Sequence, residues 1–466
     1  MPWPRSLSKS SQLVPVALIV LALGKGLFWA ITIPPWYGPD EASHYAYVQG
    51  IVEDKSLPTR SDPGAGLYYP QELHCSEAQV GIGFAGEFHA EPSYSGQRLS
   101  CPSSTAWRHA LAPVNAAASY FPLYYAGAVP FYLLAQAHAV EIRLAAVRLW
   151  SVLLGVVAAI FCWLAVRQAL PESKVLALAA TVLFILQPMN SQQTAVVNND
   201  ALLIALAALF WWRFFAAYRS GVSVPILSLL AGLAGVAYLA KPQGIFLAAA
   251  LPVLIAIALG GLPSRRRPAK LASLAVATAA PLAAAILVSV LYASLTRQGG
   301  IAPPSVAGFH GVSQYVSQYA THNFERAYVV WVTGFWGYFG WYQVDLPGAV
   351  YVVALLTSLA GMIGVLRLLL ERPSLRAITV VTTLCLVVPA LLIQLLELYT
   401  FRSTGSLVLQ GRSFLMLLIP FIVLLLRGWR GLLPRAAQWG VAPTAVLLAL
   451  VLNLVSLARM IDTFYG

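Results

Sequence analysis

Two acidic residues in series, Asp40 and Glu41, lie in the stretch Pro34-Pro35-Trp36-Tyr37-Gly38-Pro39-Asp40-Glu41-Ala42-Ser43-His44. They follow directly on a first apolar run. A carboxylate at such a boundary can accept a proton as a general base or hold a divalent cation. The same residue types also suit a plainer role, because Asp heading a helix caps its free N–H groups. Asp200, in Asn198-Asn199-Asp200-Ala201-Leu202, presents the same choice. Ionisable groups this close to a bilayer are disfavoured unless they face a cavity or have a partner. Two cations also stand out. Lys241 sits at a Lys-Pro break between apolar runs, and Arg412 sits in Leu409-Gln410-Gly411-Arg412-Ser413. Each is explained either by snorkelling to the interface or by pairing with a phosphate. Lys25, between Gly24 and Gly26, is read as a snorkelling residue.

The elements that must position these residues are helices in a membrane. The chain is 59% hydrophobic and only 10% charged, where a soluble protein carries about 25% charged residues. Apolar runs near 12–33, 149–166, 175–188, 201–218, 224–240, 242–260, 271–294, 348–366, 377–396, 413–426 and 438–458 approach the ~20 residues of a spanning helix. They are apolar all the way round, so an amphipathic soluble fold is excluded. The expected class is an all-α polytopic membrane protein with about 11 spans in one domain over 1–466. The first run follows Arg5 and Lys9 and leads into Ile33-Pro34-Pro35 without a small-residue cleavage site, as in an uncleaved signal anchor.

The net charge of +12 does not point to nucleic acid, because its distribution follows the membrane. Basic residues gather in short connectors: Arg5/Lys9, Arg167/Lys174, Arg213/Arg219, Arg265 to Lys270, Arg367/Arg372/Arg376 and Arg427/Arg430/Arg435. That is the positive-inside pattern. With those connectors cytoplasmic, 34–118, 189–200, the Lys241-Pro242 break, 295–347 and 397–412 share the opposite face. This parity requires 119–138 and the aromatic stretch 326–343 to be interfacial or re-entrant. A count of 13 spans is the alternative, and it would separate Asp200 from Asp40.

The 34–118 loop holds more than half of the 17 acidic residues and two of the four cysteines. On an oxidising face Cys75 and Cys101 can form a disulfide, worth roughly 3 kcal/mol, or they remain free thiols. The other two, Cys162 and Cys385, fall in apolar runs and read as packing residues. Residues 41–54 carry helical spacing and are expected as an amphipathic helix on the membrane surface. No P-loop, dinucleotide fingerprint, zinc-ligand spacing or nucleophile elbow is present, and His44 beside Asp40 is the one histidine placed to assist a metal.

Pro39-Asp40-Glu41, the helix with His44 that follows, Phe121-Pro122-Leu123-Tyr124-Tyr125 and the Asn-Asp-Ala-Leu helix start together resemble the GT-C superfamily of membrane glycosyltransferases. The resemblance is to the protein O-mannosyltransferase and aminoarabinose-transferase group. The Lys-Pro break, Phe335-Trp336-Gly337 and Gln410-Gly411-Arg412 are similar to a poorly characterised bacterial branch of it. It implies an inverting transfer from a polyprenyl-phosphate sugar to an envelope acceptor (lipid, glycan or protein) on the outer face of the cytoplasmic membrane. It carries over Asp40 as general base or metal ligand, Glu41 as its neighbour in the motif and Asp200 as a second acid. Asp40 and Glu41 are therefore expected to be catalytic, His44, Asp200, Lys241, Arg412 and Tyr124 to bind substrate, and magnesium or manganese is a candidate cofactor held by Asp40 and Asp200. The stretch before Pro122 lacks the Lys or His frequent in relatives, and large acceptors would have to be recognised by the first loop. A transporter or flippase of an envelope lipid, or a non-catalytic scaffold of a polysaccharide machine, are the competing readings.

Overall fold

The computed structural model describes residues 9–57, 71–82, 94, 96, 98–101, 116–260, 263–296, 311–320, 325–405 and 407–466. Much of the first loop and the start of 295–347 lie outside them. Helix follows from the medium: a backbone inside a bilayer has no water to bond, and only internal hydrogen bonds satisfy its N–H and C=O groups.

The chain begins with α1 (Lys9–Thr32), α2 (Glu41–Glu53), α3 (Gln71–Gln79) and α4 (Leu123–Ala135). Then come α5 (Val140–Ala169), α6 (Lys174–Leu186), α7 (Pro188–Gln193), α8 (Asp200–Ser220) and α9 (Val224–Ala240). A 3-10 opening at Pro242–Ala250 runs into α10 (Leu251–Gly260), followed by α11 (Arg267–Leu295) and α12 (Val312–Ala320). The aromatic stretch folds as α13 (Glu325–Tyr328), a π turn at Val329–Thr333 and α14 (Gly334–Trp336). A hairpin follows, β1 (Tyr338–Phe339) against β2 (Val344–Asp345), antiparallel with Phe339 opposite Val344. The last helices are α15 (Gly348–Glu371), α16 (Pro373–Thr404), α17 (Leu418–Leu432) and α18 (Val441–Tyr465).

Nine helices among the described residues are long and apolar enough to cross a bilayer, and α4, α6 and α9 are shorter apolar helices. All eleven apolar runs named from sequence are helical, with α6 and α9 the two that fall short of spanning length. The 13 residues of α4 rise roughly 20 Å, less than the ~30 Å hydrocarbon core. The stretch 326–343 forms no spanning helix.

Local chemistry sets the breaks. Gln187 caps α7 through its side chain, which accepts from the Asn190 N–H at 2.6 Å, and Pro188 occupies the first turn. Lys241 is extended (φ −157°, ψ 134°) because Pro242 disfavours helical geometry in the residue before it. Helix α16 ends on Gly405 at φ 73°.

Without a hydrophobic force between helices in lipid, close packing needs small residues. Helices α15 and α17 meet through Gly361 and Gly364 facing Gly428 and Gly431; a Cβ on Gly364 would lie 1.8 Å from the Gly428 carbonyl oxygen. Gly364→Ala should therefore push the two helices apart and cost about 1–3 kcal/mol. Thermal unfolding in detergent should show a lowered midpoint for Gly364→Ala and none of that size for Gly232→Ala, whose Cβ meets nothing within 4 Å.

Candidate functional site

Asp40 is the residue on which the capping and chemical readings of the sequence diverge. It immediately precedes α2, yet its backbone is left-handed (φ 56°, ψ 20°) and its side chain makes no cap hydrogen bond. The carboxylate points instead to Arg412, with Nη2 to Oδ2 at 3.2 Å. Its side chain is 32% exposed, while Arg412 is 9% exposed. Asp40 is thus the accessible member of a buried ion pair.

Asp200 opens α8 and also makes no cap; Asn199 holds the cap position. Its Oδ1 accepts from Lys241 Nζ at 2.6 Å, and Oδ2 lies 3.8 Å from Arg412 Nε. The loops that carry these residues are tied together. Asn198 Nδ2 donates to the Pro39 carbonyl at 2.9 Å, and Asn199 Nδ2 donates to the Ala240 carbonyl at 2.8 Å. Arg412 reaches the cluster because Gly411 crosses Gly334 in backbone contact; a Cβ on Gly411 would lie 2.2 Å from the Gly334 carbonyl carbon. Residues 372 positions apart are brought together by that crossing.

The hairpin completes the site. Gly340, Trp341 and Tyr342 are consecutive left-handed residues at φ 57°, 61° and 67°. The Trp341 indole N–H donates to the Trp36 carbonyl at 3.1 Å, and Trp36 is itself at φ 69°. Left-handed backbone costs a bulky residue about 1–3 kcal/mol and persists where the surroundings over-determine it. Four of the five described non-glycine residues with positive φ, all except Lys55, surround this one place. Between them is a cavity of about 30 Å³ lined by Pro39, Asp40, Met189, Gly334, Tyr338, Trp341, Tyr342, Gln410 and Arg412.

Glu41 differs sharply from its neighbour. It is fully buried, and both oxygens bind Arg148 (Nε to Oε1 2.8 Å, Nη2 to Oε2 2.6 Å). The Val197 N–H adds to Oε1 at 2.9 Å and the Gly38 N–H to Oε2 at 3.4 Å. Expected as a catalytic partner of Asp40, it is placed as a clamp, with four hydrogen bonds filling the acceptor capacity of a carboxylate. Tyr124 was expected against substrate, but it is fully buried. Its hydroxyl pairs with Ser151 Oγ at 2.7 Å and accepts from the Asn198 N–H at 3.2 Å, so it fixes the loop before α8.

Helix α2 lies where the periodicity places it, but residues 41–50 are all buried. Protein, not lipid, encloses it. His44 lies against Tyr120 and Tyr125, with ring centroids at 5.9 and 5.8 Å, and its Nδ1 is 2.8 Å from the Tyr125 hydroxyl. Burial, reinforced by the positive charges of Lys241 and Arg412, pushes its pKa down to about 3. It is a neutral imidazole beside the cluster.

None of Arg148, Tyr125, Trp341 and Tyr342 was given a role at the site from sequence, although Tyr125, Trp341 and Tyr342 lie in aromatic stretches noted there. A signal existed for Arg148: Arg143, Val147, Arg148 and Ser151 all lie on the buried face of α5. A cation on the apolar face of a spanning helix demands an acid partner. Arg143 found Glu72 and Glu53, the latter at 3.5 Å, which holds α3 against α2. Cys75 on α3 is bonded to Cys101, with Cα atoms 5.9 Å apart.

Asp40 and Asp200 were candidates for a divalent cation, but their geometry does not fit one. Each carboxylate is already paired with a cation, and Arg412 contacts both. Two acids and two bases cancel, so a metal ion would meet two positive charges and no unneutralised donor. Among the described residues no group of three or more His, Cys, Asp or Glu is arranged to hold a metal.

At the far end of the bundle the basic connectors gather. Arg427 bonds the Ala169 carbonyl at 2.6 Å and lies 3.6 Å from Glu172, while Arg367 reaches the Leu432 carbonyl at 3.5 Å. Arg167, Lys174 and Arg219 line one recess there. The five connectors carrying or adjoining the acidic cluster meet at the opposite end.

The family described as "Predicted membrane protein (DUF2142)" matches residues 23–425. The chain belongs to that family. No curated protein matches this DUF2142 member. Among solved structures it is similar to the oligosaccharyltransferase of Archaeoglobus fulgidus tethered with an acceptor peptide containing the NVT sequon. That match has 13% identity and a TM-score of 0.51, over 97% of this chain and 55% of that one. The archaeal oligosaccharyltransferase AglB from the same organism, in complex with an inhibitory peptide and a dolichol-phosphate, matches at 14% identity and 0.50, over 98% and 57%. ArnT from Cupriavidus metallidurans, bound to undecaprenyl phosphate, matches at 12% identity and 0.45, over 98% and 76%. The chain is a multi-pass membrane protein whose fold is similar to that of the archaeal oligosaccharyltransferase. It spans about half the length of the oligosaccharyltransferase.

Proposed function

We propose that this protein is a membrane glycosyltransferase that moves a sugar from a polyprenyl-phosphate donor to a hydroxyl-bearing envelope acceptor at the Asp40–Arg412 end of the bundle. One observation carries the reading: Arg412 Nη1 is buried without a hydrogen-bond partner among the described residues, beside a carboxylate that is accessible. A buried guanidinium donor left open is costly, and a phosphate oxygen is its natural complement.

The transfer then runs on this chain's own groups. Asp40 takes the proton of the acceptor hydroxyl as its oxygen bonds the anomeric carbon. The bond from that carbon to the phosphate oxygen breaks, and its electron pair leaves with the polyprenyl phosphate. Arg412, held by Asp40 and Asp200, faces the charge that develops there. The left-handed Trp341–Tyr342 turn, which lines the cavity, positions the two substrates.

An apolar groove of about 370 Å³ runs beside the cavity and is lined by Trp331, Phe335, Trp336, Phe414 and Phe421. Phe414 is two residues from Arg412 and Phe335 adjoins Gly334, so a lipid chain in the groove would bring its phosphate to the cation. The dolichol-phosphate complex of the archaeal enzyme supports a lipid-phosphate ligand. The basic connectors at the other end support an extracytoplasmic site. Mass spectrometry of lipids that co-purify with the protein tests this. A polyprenyl phosphate or its glycosyl ester at near-stoichiometric amount is expected, lost in Arg412→Ala; bulk phospholipid alone would contradict it.

A further inference from the structure

We propose that the Arg412 guanidinium, backed by Lys241, takes the place of a divalent cation between Asp40 and Asp200, so that this site binds no metal until that positive charge is removed. The inference rests on the geometry of the four charges and not on sugar transfer.

Arg412 is the only described cation that touches both acids, through Nη2 at 3.2 Å to Asp40 and Nε at 3.8 Å to Asp200. A metal ion bridging two carboxylates would occupy the same position between them, with oxygens drawn to about 2.0–2.2 Å. Lys241 Nζ, 2.6 Å from Asp200 Oδ1, completes the balance from behind. Side chains of Arg412, Lys241 and Asp200 are each under a tenth exposed. Charges this deep persist only when paired, and here two negative meet two positive. A divalent ion added to that set would be repelled by both cations and would have to displace one. Asp200 Oδ2 makes no hydrogen bond and is left with the ionic contact to Arg412. Removing Arg412 therefore leaves a buried acceptor, an accessible carboxylate and one cation, a net deficit that a divalent ion can fill.

The test is titration of the purified full chain in detergent with manganese, followed by loss of the free Mn²⁺ electron-paramagnetic-resonance signal. The wild type is expected to bind no stoichiometric manganese up to millimolar concentration. Arg412→Gln is expected to bind one ion at least tenfold more tightly, and Asp200→Asn added to it should abolish that gain. Stoichiometric binding by the wild type that Asp40→Asn removes would overturn the proposal. So would an Arg412→Gln protein that elutes and melts as wild type but gains no site. Should Arg412→Gln fail to fold, the wild-type titration with its Asp40→Asn control still decides. None of these readouts depends on transfer, so an error in the assigned reaction and an error here remain distinguishable.

Discussion

Asp40→Asn should lower sugar transfer by at least about a hundredfold, the lower end of what a positioned general base contributes, while leaving the fold intact. Asparagine keeps the size of the side chain and a hydrogen-bond acceptor for Arg412, but it cannot take a proton. The residue is partly exposed and makes no cap, and Arg412 keeps its contact with Asp200 when the Asp40 charge is removed, so the fold survives at some cost in stability. The assay is transfer from a polyprenyl-phosphate sugar by reconstituted protein, with thermal unfolding alongside. Less than a tenfold loss in a normally folded variant would remove Asp40 from the chemistry. His44 supplies an internal check on pH. With its pKa near 3 in the folded protein, it stays neutral through the usual histidine range around 6.5. The rate should therefore show no limb there that His44→Gln abolishes. Stability has the opposite dependence. The unfolded imidazole binds a proton that the folded one refuses, so this group's contribution is complete above about 6.5 and is lost as pH falls toward 3.

Arg148→Ala should cost about 3–5 kcal/mol, the loss expected when one partner of a buried pair is removed. Against a total stability of about 5–15 kcal/mol that is a large share. All five guanidinium donors are used. Three go to the carbonyls of Ala30, Ile33 and Pro34, at 2.7, 2.6 and 2.9 Å, and two to Glu41. Arg148 thus fastens α5 to the end of α1 and the start of α2 at once. Its loss leaves the buried Glu41 carboxylate without its cation. Yield of monodisperse protein and the unfolding midpoint in detergent measure the effect, with Arg148→Lys falling between. A variant that melts within a degree or two of wild type would show that the clamp is dispensable. The two predictions separate neighbours in sequence: Asp40 should govern rate and the Glu41–Arg148 pair should govern folding.

Much of this architecture is legible in the chain itself. Apolar runs of spanning length force helices because lipid offers the backbone no other partner. The distribution of basic connectors sorts the remaining loops to one end, and Asp40, Asp200, Lys241 and Arg412 do meet there. Co-location was readable because alternating spans impose parity. The detail of the site was not readable in the same way. Whether Asp40 caps or pairs depends on its left-handed backbone, which is held by Arg412 372 positions away and by no local propensity. Trp341 and Tyr342 looked like interfacial aromatics; the contact with Trp36 folds them over the cavity in a strained turn.

Asp40-Glu41 thus divides along the line between the two kinds of information. Sequence alone determined that a membrane-embedded helical protein carries an acidic pair at the end opposite its basic connectors, because hydropathy and charge act residue by residue. Only the tertiary structure decided that Glu41 is the clamp and Asp40 the accessible acid. The left-handed residue between loop and helix turns the two carboxylates to different cations, Arg412 and Arg148, and that choice belongs to packing between distant helices.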